Sequence, residues 1–345
     1  MIYESKNSII GIDRDSLAKL IPNVQAYRIN QIIDWVYRKF VLNPDSMSNI
    51  PSEIKSVLAE NFIFEYPKIT ESCVTSDRTE KFLIELADSN CIESVLIKSP
   101  DRQTFCLSSQ IGCPVKCRFC ASGMPDFIRN LTSAEIIGQL LLLSKHIGKL
   151  PDNVVFMGIG EGLLNLENLI TALNIICSEE YIGYAQRRIT ISTSGIPKSI
   201  NRLTDLGRQY NLALSLHAPD DQTRAKLIPD KTRFPIKEIL EACKRYFEKT
   251  GRMITLEYTL IDGINDSLTQ AAQLAKIAKD LRAKINIIPM NSVEGCSFKR
   301  PERNKCIAFA KELEKSGANI TFRYEKGSNI NAACGQLRAK KLKKN

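Results

Sequence analysis

Histidine and tryptophan are scarce in this sequence: its 345 residues include 2 His and 1 Trp, and aromatic residues make up 7%. With only His146 and His217 available, a histidine-rich metal centre or a serine–histidine–aspartate hydrolase has little material to draw on. Long apolar runs are missing as well. The densest cluster, Leu140 to Leu143, belongs to an amphipathic pattern and falls far short of the roughly 18 residues a transmembrane helix needs. The opening MIYESKNSIIGIDRDS carries acids and no long apolar core, so it does not read as a signal peptide. A cytoplasmic protein with no membrane partner is expected. No internal repeat or low-complexity linker is present, and 43% hydrophobic residues exclude a disordered or collagen-like chain.

Cationic residues and cysteines, by contrast, are abundant. Lys and Arg total 48 against 38 Asp and Glu, a net charge of +10. Such an excess suits an anionic partner such as nucleic acid, and equally a solubility setting. From Lys326 onward there is no acid, and the chain ends in a basic tail of Arg338, Lys340, Lys341, Lys343 and Lys344 that suits phosphate contacts. Eleven cysteines, an odd number without an export signal, argue for thiols and metal ligands over a disulfide framework. Four of them, Cys106, Cys113, Cys117 and Cys120, crowd into one segment.

Apolar spacing divides the chain. Residues 1–66 read as a small helical unit, with Ile29, Ile32, Ile33, Val36 and Phe40 at helical intervals and a second helix opened by Pro51. Residues 67–100 hold two strands, 81–86 and 91–97, joined at Asp88, Ser89 and Asn90. Between 101 and 325, seven apolar strands (105–108, 154–157, 189–192, 212–216, 254–260, 285–289 and 320–323) alternate with helical segments. The first of those helices is capped by Thr132 and Glu135. About six βα units imply a parallel sheet, curled as in a partial (β/α)6 barrel or doubly wound; active residues then sit at carboxyl strand ends or at a switch point. Residues 326–345 form a C-terminal segment and tail.

Cys113-Pro-Val-Lys-Cys117-Arg-Phe-Cys120 follows a strand directly, with Gly112 and Pro114 opposing a regular helix. Three converging thiolates on a four-iron cluster leave one iron open, which turns an electron carrier into a catalyst. Structural zinc is the alternative. It would take Cys106 as fourth ligand, across a spacing wide for a knuckle, and would make the chain a zinc-stabilised RNA-binding protein.

The C-x3-C-x2-C spacing, with Phe119 before its last cysteine, resembles the radical S-adenosylmethionine superfamily. Phe156-Met-Gly-Ile-Gly-Glu-Gly-Leu-Leu-Asn165, Ile191-Ser-Thr-Ser-Gly195, Leu214-Ser-Leu-His-Ala-Pro219 and Asn331-Ala-Ala-Cys-Gly-Gln-Leu337 narrow the likeness to the RlmN/Cfr family of adenosine methyltransferases. It spans nearly the whole chain, including Tyr27, Arg28, Gln31 and Trp35. The resemblance implies a partial (β/α)6 barrel, a [4Fe-4S] cluster on Cys113, Cys117 and Cys120, and S-adenosylmethionine bound by Gly160, Glu161, Ser192, Ser215, Leu216, His217 and Asn291. On the residues alone, the serines and Asn291 would serve equally as caps, and His217 as a core histidine.

Adenine's amidine carbons are electron-poor, so polar methyl transfer fails there and a radical route is needed. The resemblance implies that Cys334 carries a methyl group from one S-adenosylmethionine, and that a 5′-deoxyadenosyl radical from a second activates it for addition to the base. It further implies that Cys106 then attacks the Cys334 sulfur, giving a transient disulfide, and that Glu93 accepts the ring proton. The implied partners are 23S rRNA, tRNA and an electron donor such as flavodoxin, for a monomeric protein. Gly162, Met290 and Ser292, and the stretch 325–330, depart from the usual RlmN pattern. Leu163-Leu-Asn165 and Ala218-Pro-Asp220 nonetheless favour carbon 2 of adenine over the Cfr position, carbon 8.

Overall fold

The computed structural model describes residues 7–21, 24–322 and 335–337. Cys334, Lys326 and the basic tail lie outside them.

Three antiparallel strands come first: β1 (Lys68–Val74), β2 (Glu80–Glu85) and β3 (Cys91–Ser99). Seven strands follow: β4 (Arg102–Cys106), β5 (Asn153–Phe156), β6 (Ile189–Thr193), β7 (Asn211–Ser215), β8 (Thr255–Leu260), β9 (Lys284–Pro289) and β10 (Asn319–Phe322). All ten form one sheet whose spatial order is the chain order. Neighbours from β4 to β10 are parallel. A doubly wound sheet reverses its strand order at a switch point. Here the order never reverses, so the winding is that of a barrel, left open because β10 does not reach β1 among the described residues.

The β2–β3 hairpin turns where Asp88 and Asn90 suggested, but it does not stand apart from the parallel strands. It is sealed onto them through the β3–β4 pairing, with β1 added outside as a strand the sequence did not announce. The alternating burial of β1, half of it exposed, marks an edge strand and explains its weak signal.

Among the described residues, ten α-helices accompany the sheet. α1 (Arg14–Leu20), α2 (Ala26–Tyr37) and α3 (Ser52–Asn61) build the N-terminal unit. α4 (Ser133–Ile147), α5 (Leu166–Cys177), α6 (Pro197–Asp205), α7 (Asp221–Leu227), α8 (Ile236–Thr250), α9 (Leu268–Asp280) and α10 (Arg303–Lys315) connect the parallel strands. α4 starts at the expected reciprocal cap, Thr132 with Glu135, and stops at left-handed Gly148. Its buried Ile136, Ile137, Leu140, Leu141 and Leu143 share one core with Phe82, Ile92, Phe105 and Val154 of the sheet. The N-terminal unit docks on the loop after α5: Arg38 donates to the Tyr181 and Glu179 carbonyls, and the rings of Tyr37 and Tyr181 meet edge to face at 5.2 Å.

With the core on the helix side, the opposite face of the sheet is left for polar work. Register places Lys81, Val95 and Cys106 in one row across β2, β3 and β4, with Glu93 two residues along β3 on the same face. Among the described residues no helix is long and apolar enough to cross a membrane.

Candidate active site

The carboxyl ends of β5 to β9 surround an open cleft, the place where a parallel sheet of this winding presents its ligands. Cys113, Cys117 and Cys120 form one wall, and Gly160, Glu161, Ser192, Ser215, His217 and Asn291 contribute to the others. The structure thus brings nine of the residues singled out in the sequence together around one space. Leu216 is the exception: its side chain is fully buried in the core, and its carbonyl oxygen accepts from Arg224 at 3.2 Å.

The cysteine loop bends as its residues require. Gly112 has φ +72°, and a Cβ there would lie 2.3 Å from the Asp126 carbonyl oxygen, so no other residue fits. The loop is held from outside by Leu227 and Ile228, which pack with Val115, Phe119 and Met290. Burial, then repulsion from neighbouring thiolates, pushes the Cys113 thiol up to about 12 and Cys117 well above its ordinary value. Two such buried neighbouring thiols ionise together only against a metal's positive charge. Among the described residues no trio of His, Cys, Asp or Glu closes on a single-ion site. All three thiols line the same cleft wall.

Glu161 stands opposite. It is buried, with Oε1 accepting from the Leu163 amide at 3.1 Å and Oε2 from the Ser194 amide at 2.7 Å. Burial raises its pKa, and these hydrogen bonds work against that rise. Its own amide donates to Gln110 Oε1 at 2.7 Å, and Gly160, at φ +111°, lets the chain pass within 2.6 Å of Gln110 Cβ where a side chain would stand. His217 occupies left-handed backbone at φ 57°, and its Nδ1 accepts from the Thr259 amide at 3.0 Å. Burial, then the Arg224 charge, pushes its pKa down to about 3. The ring is therefore neutral with its proton on Nε2, and it lies 4.8 Å from Phe119, edge to face.

Cys106 and Glu93 sit behind this cleft rather than in its wall. Cys106 packs with Val95, Ile159 and Leu337. Residues 335–337 bridge the two places: the Gly335 carbonyl accepts from the Ala121 amide at 2.7 Å, and the Leu337 carbonyl from the Ser122 hydroxyl at 2.7 Å. The residues directly after position 334 are thus tied to the loop directly after Cys120, with Gly335 lining the cleft and Leu337 touching the Cys106 patch.

Three kinds of residue escaped the sequence reading. Gln139 reaches from α4 to accept from Ser94 Oγ and the Ser108 amide, each at 2.9 Å. Arg224, 1% exposed, donates only to carbonyls, those of Leu216, Phe234 and Ser194. Lys81 makes a buried ion pair with Glu93. The signal for each was a polar residue inside an apolar pattern, visible but without a partner until the fold supplied one.

Comparison with known proteins decides the lineage. Residues 107–275 match the model of the radical SAM superfamily. The chain is 45% identical to a probable dual-specificity RNA methyltransferase RlmN of Thermotoga neapolitana, with 97% of this chain and 98% of that one aligned. The chain belongs to the RlmN family. A second RlmN relative, from Akkermansia muciniphila, is 44% identical across 91% of this chain and 90% of its own. The crystal structure of a radical SAM methyltransferase from Sphaerobacter thermophilus superposes with a TM-score of 0.92 at 38% identity, covering 97% of this chain and all of that one. RlmN-type proteins, as radical SAM proteins, use a [4Fe-4S] cluster and S-adenosylmethionine, so the cluster reading stands and the zinc reading falls.

Proposed function

We propose that this protein is an RNA methyltransferase that methylates carbon 2 of a specific adenosine in large-subunit (23S) rRNA, and an adenosine in tRNA as a second substrate. The observation that carries this reading is the docking of residues 335–337 between the cysteine loop and the Cys106 patch, with Gly335 on the cleft and Leu337 against Cys106. In support stand the relatives' names as dual-specificity RNA methyltransferases and the net charge of +10.

Cys113, Cys117 and Cys120 would hold the cluster, while Gly160, Glu161, Ser192, Ser215, His217 and Asn291 would hold S-adenosylmethionine. When bound, this pair supplies a hydrogen-abstracting carbon radical. Glu161, with both oxygens already fixed by amides, suits the methionyl ammonium, and neutral His217 offers an Nε2 donor. The backbone carbonyl of Leu216, already taken by Arg224, leaves that residue a role in shaping the wall. Cys334 would carry the methyl group and become joined to the base through it. Glu93 would accept the ring proton, and a one-electron carrier the odd electron left by radical addition. The Cys106 thiolate would then attack the Cys334 sulfur: an S–S bond forms, the sulfur–carbon bond breaks, and its electron pair goes to the former methyl carbon, which takes a proton. The disulfide left behind must be reduced by a flavodoxin-like or thiol donor before the next turnover.

The test is nucleoside mass spectrometry of large-subunit RNA from a strain that lacks the endogenous modification and expresses this chain. The expected product is 2-methyladenosine. Detection of 8-methyladenosine would move the reaction to the Cfr position, and absence of both with an intact cluster would overturn the RNA assignment. Cys106→Ala should accumulate a nuclease-sensitive protein–RNA adduct, because addition proceeds and release does not.

A further inference from the structure

The inner face of the sheet holds a charged pair that no role so far explains. Lys81 Nζ lies 2.9 Å from Glu93 Oε1, with the two side chains 5% and 1% exposed. They belong to adjacent antiparallel strands, diagonal to one another, and the row that contains Lys81 runs through Val95 to Cys106. Glu93 is held from its backbone too. Its carbonyl accepts from Ser108 Oγ at 2.6 Å, and that serine hydroxyl oxygen in turn accepts from the Ile159 amide at 2.9 Å. Ile159 in turn packs on Cys106.

Stability gives no reason for such a pair. Removing two charges from water costs more than their attraction commonly returns, and a matched apolar pair fills the same space at no loss. A buried carboxylate that must exist as a carboxylate does need a fixed countercharge, because a buried acid left alone keeps its proton. We infer that Lys81 is a positioning residue for proton removal: its ammonium, 2.9 Å from Oε1, fixes the Glu93 carboxylate and aims it along the row that contains Cys106. The inference rests on the reading of Glu93 as the acceptor of the ring proton. The proton leaves the ring carbon for a Glu93 oxygen, and the one electron that radical addition left in excess passes to a one-electron carrier, so the base regains its closed shell.

The measurement uses the reconstituted full chain with a transcribed rRNA fragment, comparing wild type, Lys81→Met, Lys81→Arg, Glu93→Gln and the Lys81→Met/Glu93→Gln double variant. Three quantities are read: 5′-deoxyadenosine released, covalent protein–RNA adduct, and methylated nucleoside. Lys81→Met is expected to raise the adduct-to-product ratio by roughly tenfold to a hundredfold, the range of one positioned proton acceptor, with 5′-deoxyadenosine release nearly unchanged. Lys81→Arg should restore most of the product, and adding Lys81→Met to Glu93→Gln should change the ratio no further. A merely structural lysine would lower all three quantities together. That outcome, or an unchanged ratio in Lys81→Met beside a raised one in Glu93→Gln, overturns the inference while leaving the role of Glu93 intact. An unchanged ratio in Glu93→Gln would instead overturn the role of Glu93, and with it this one. Should Lys81→Met fail to fold, Lys81→Arg decides: a ratio between wild type and Glu93→Gln supports the assignment, and parallel loss of all three quantities refutes it.

Discussion

His217 shows how one residue ties the site to solution conditions. Its unfolded imidazole binds a proton near 6.5, whereas the folded ring, buried beside Arg224, binds one only near 3. The unfolded state therefore holds more protons in the window between. Folding stability attributable to this ring is fully present above about 6.5 and falls as pH drops towards 3, by at most about 1.4 kcal/mol per pH unit. Urea midpoints measured from pH 7 to pH 4 should decline less steeply for His217→Asn than for wild type; Asn tolerates the left-handed backbone that position 217 adopts. Equal slopes would show that the ring is not buried neutral.

At the scale of elements, α7 carries more of the site than its seven residues suggest. Its Arg224 guanidinium satisfies the carbonyls of Leu216, Phe234 and Ser194, so it fastens the ends of β6 and β7 to the segment leading into α8. Arg224→Met would leave those buried carbonyls unpaired and should cost about 3 kcal/mol, read as a lowered denaturant midpoint in the protein before cluster loading. α7 is also what the sequence hid. The helices with a continuous apolar stripe, α4, α8 and α10, were legible within a residue or two, and so were six of the seven parallel strands, because burial imposes apolar runs; β4 begins three residues before its expected start, where exposed Arg102 and half-buried Gln103 and Thr104 hide it. Helix α7 is short, begins with three polar residues and buries an arginine, so its pattern looks like a loop. Likewise the cleft residues were legible through their motifs, while Lys81, Ser108 and Gln139 were not, since each acquires meaning only from a partner on another strand or helix.

For the whole molecule, the charge excess and the open barrel point to a long anionic substrate. If RNA binding neutralises about five phosphates, a fourfold rise in monovalent salt should weaken it roughly a hundredfold. Filter binding across a salt series gives that slope directly, and a flat response would mean that the +10 charge serves solubility instead. The N-terminal unit, seated on the loop after α5 by Arg38, extends the surface available to such a substrate.

One feature of this architecture reaches beyond catalysis. The loop that follows the third cysteine grips residues 335–337 through Ala121 and Ser122. Metal occupancy and docking of that segment are then two ligation events on one loop, and linkage makes their coupling reciprocal: whatever tightens one tightens the other by the same free energy. A chain that loses its iron to oxidation would loosen its grip next to position 334 as well, so damage to the inorganic half of the enzyme becomes readable from outside, as a change in how readily a protease cuts near its C-terminus.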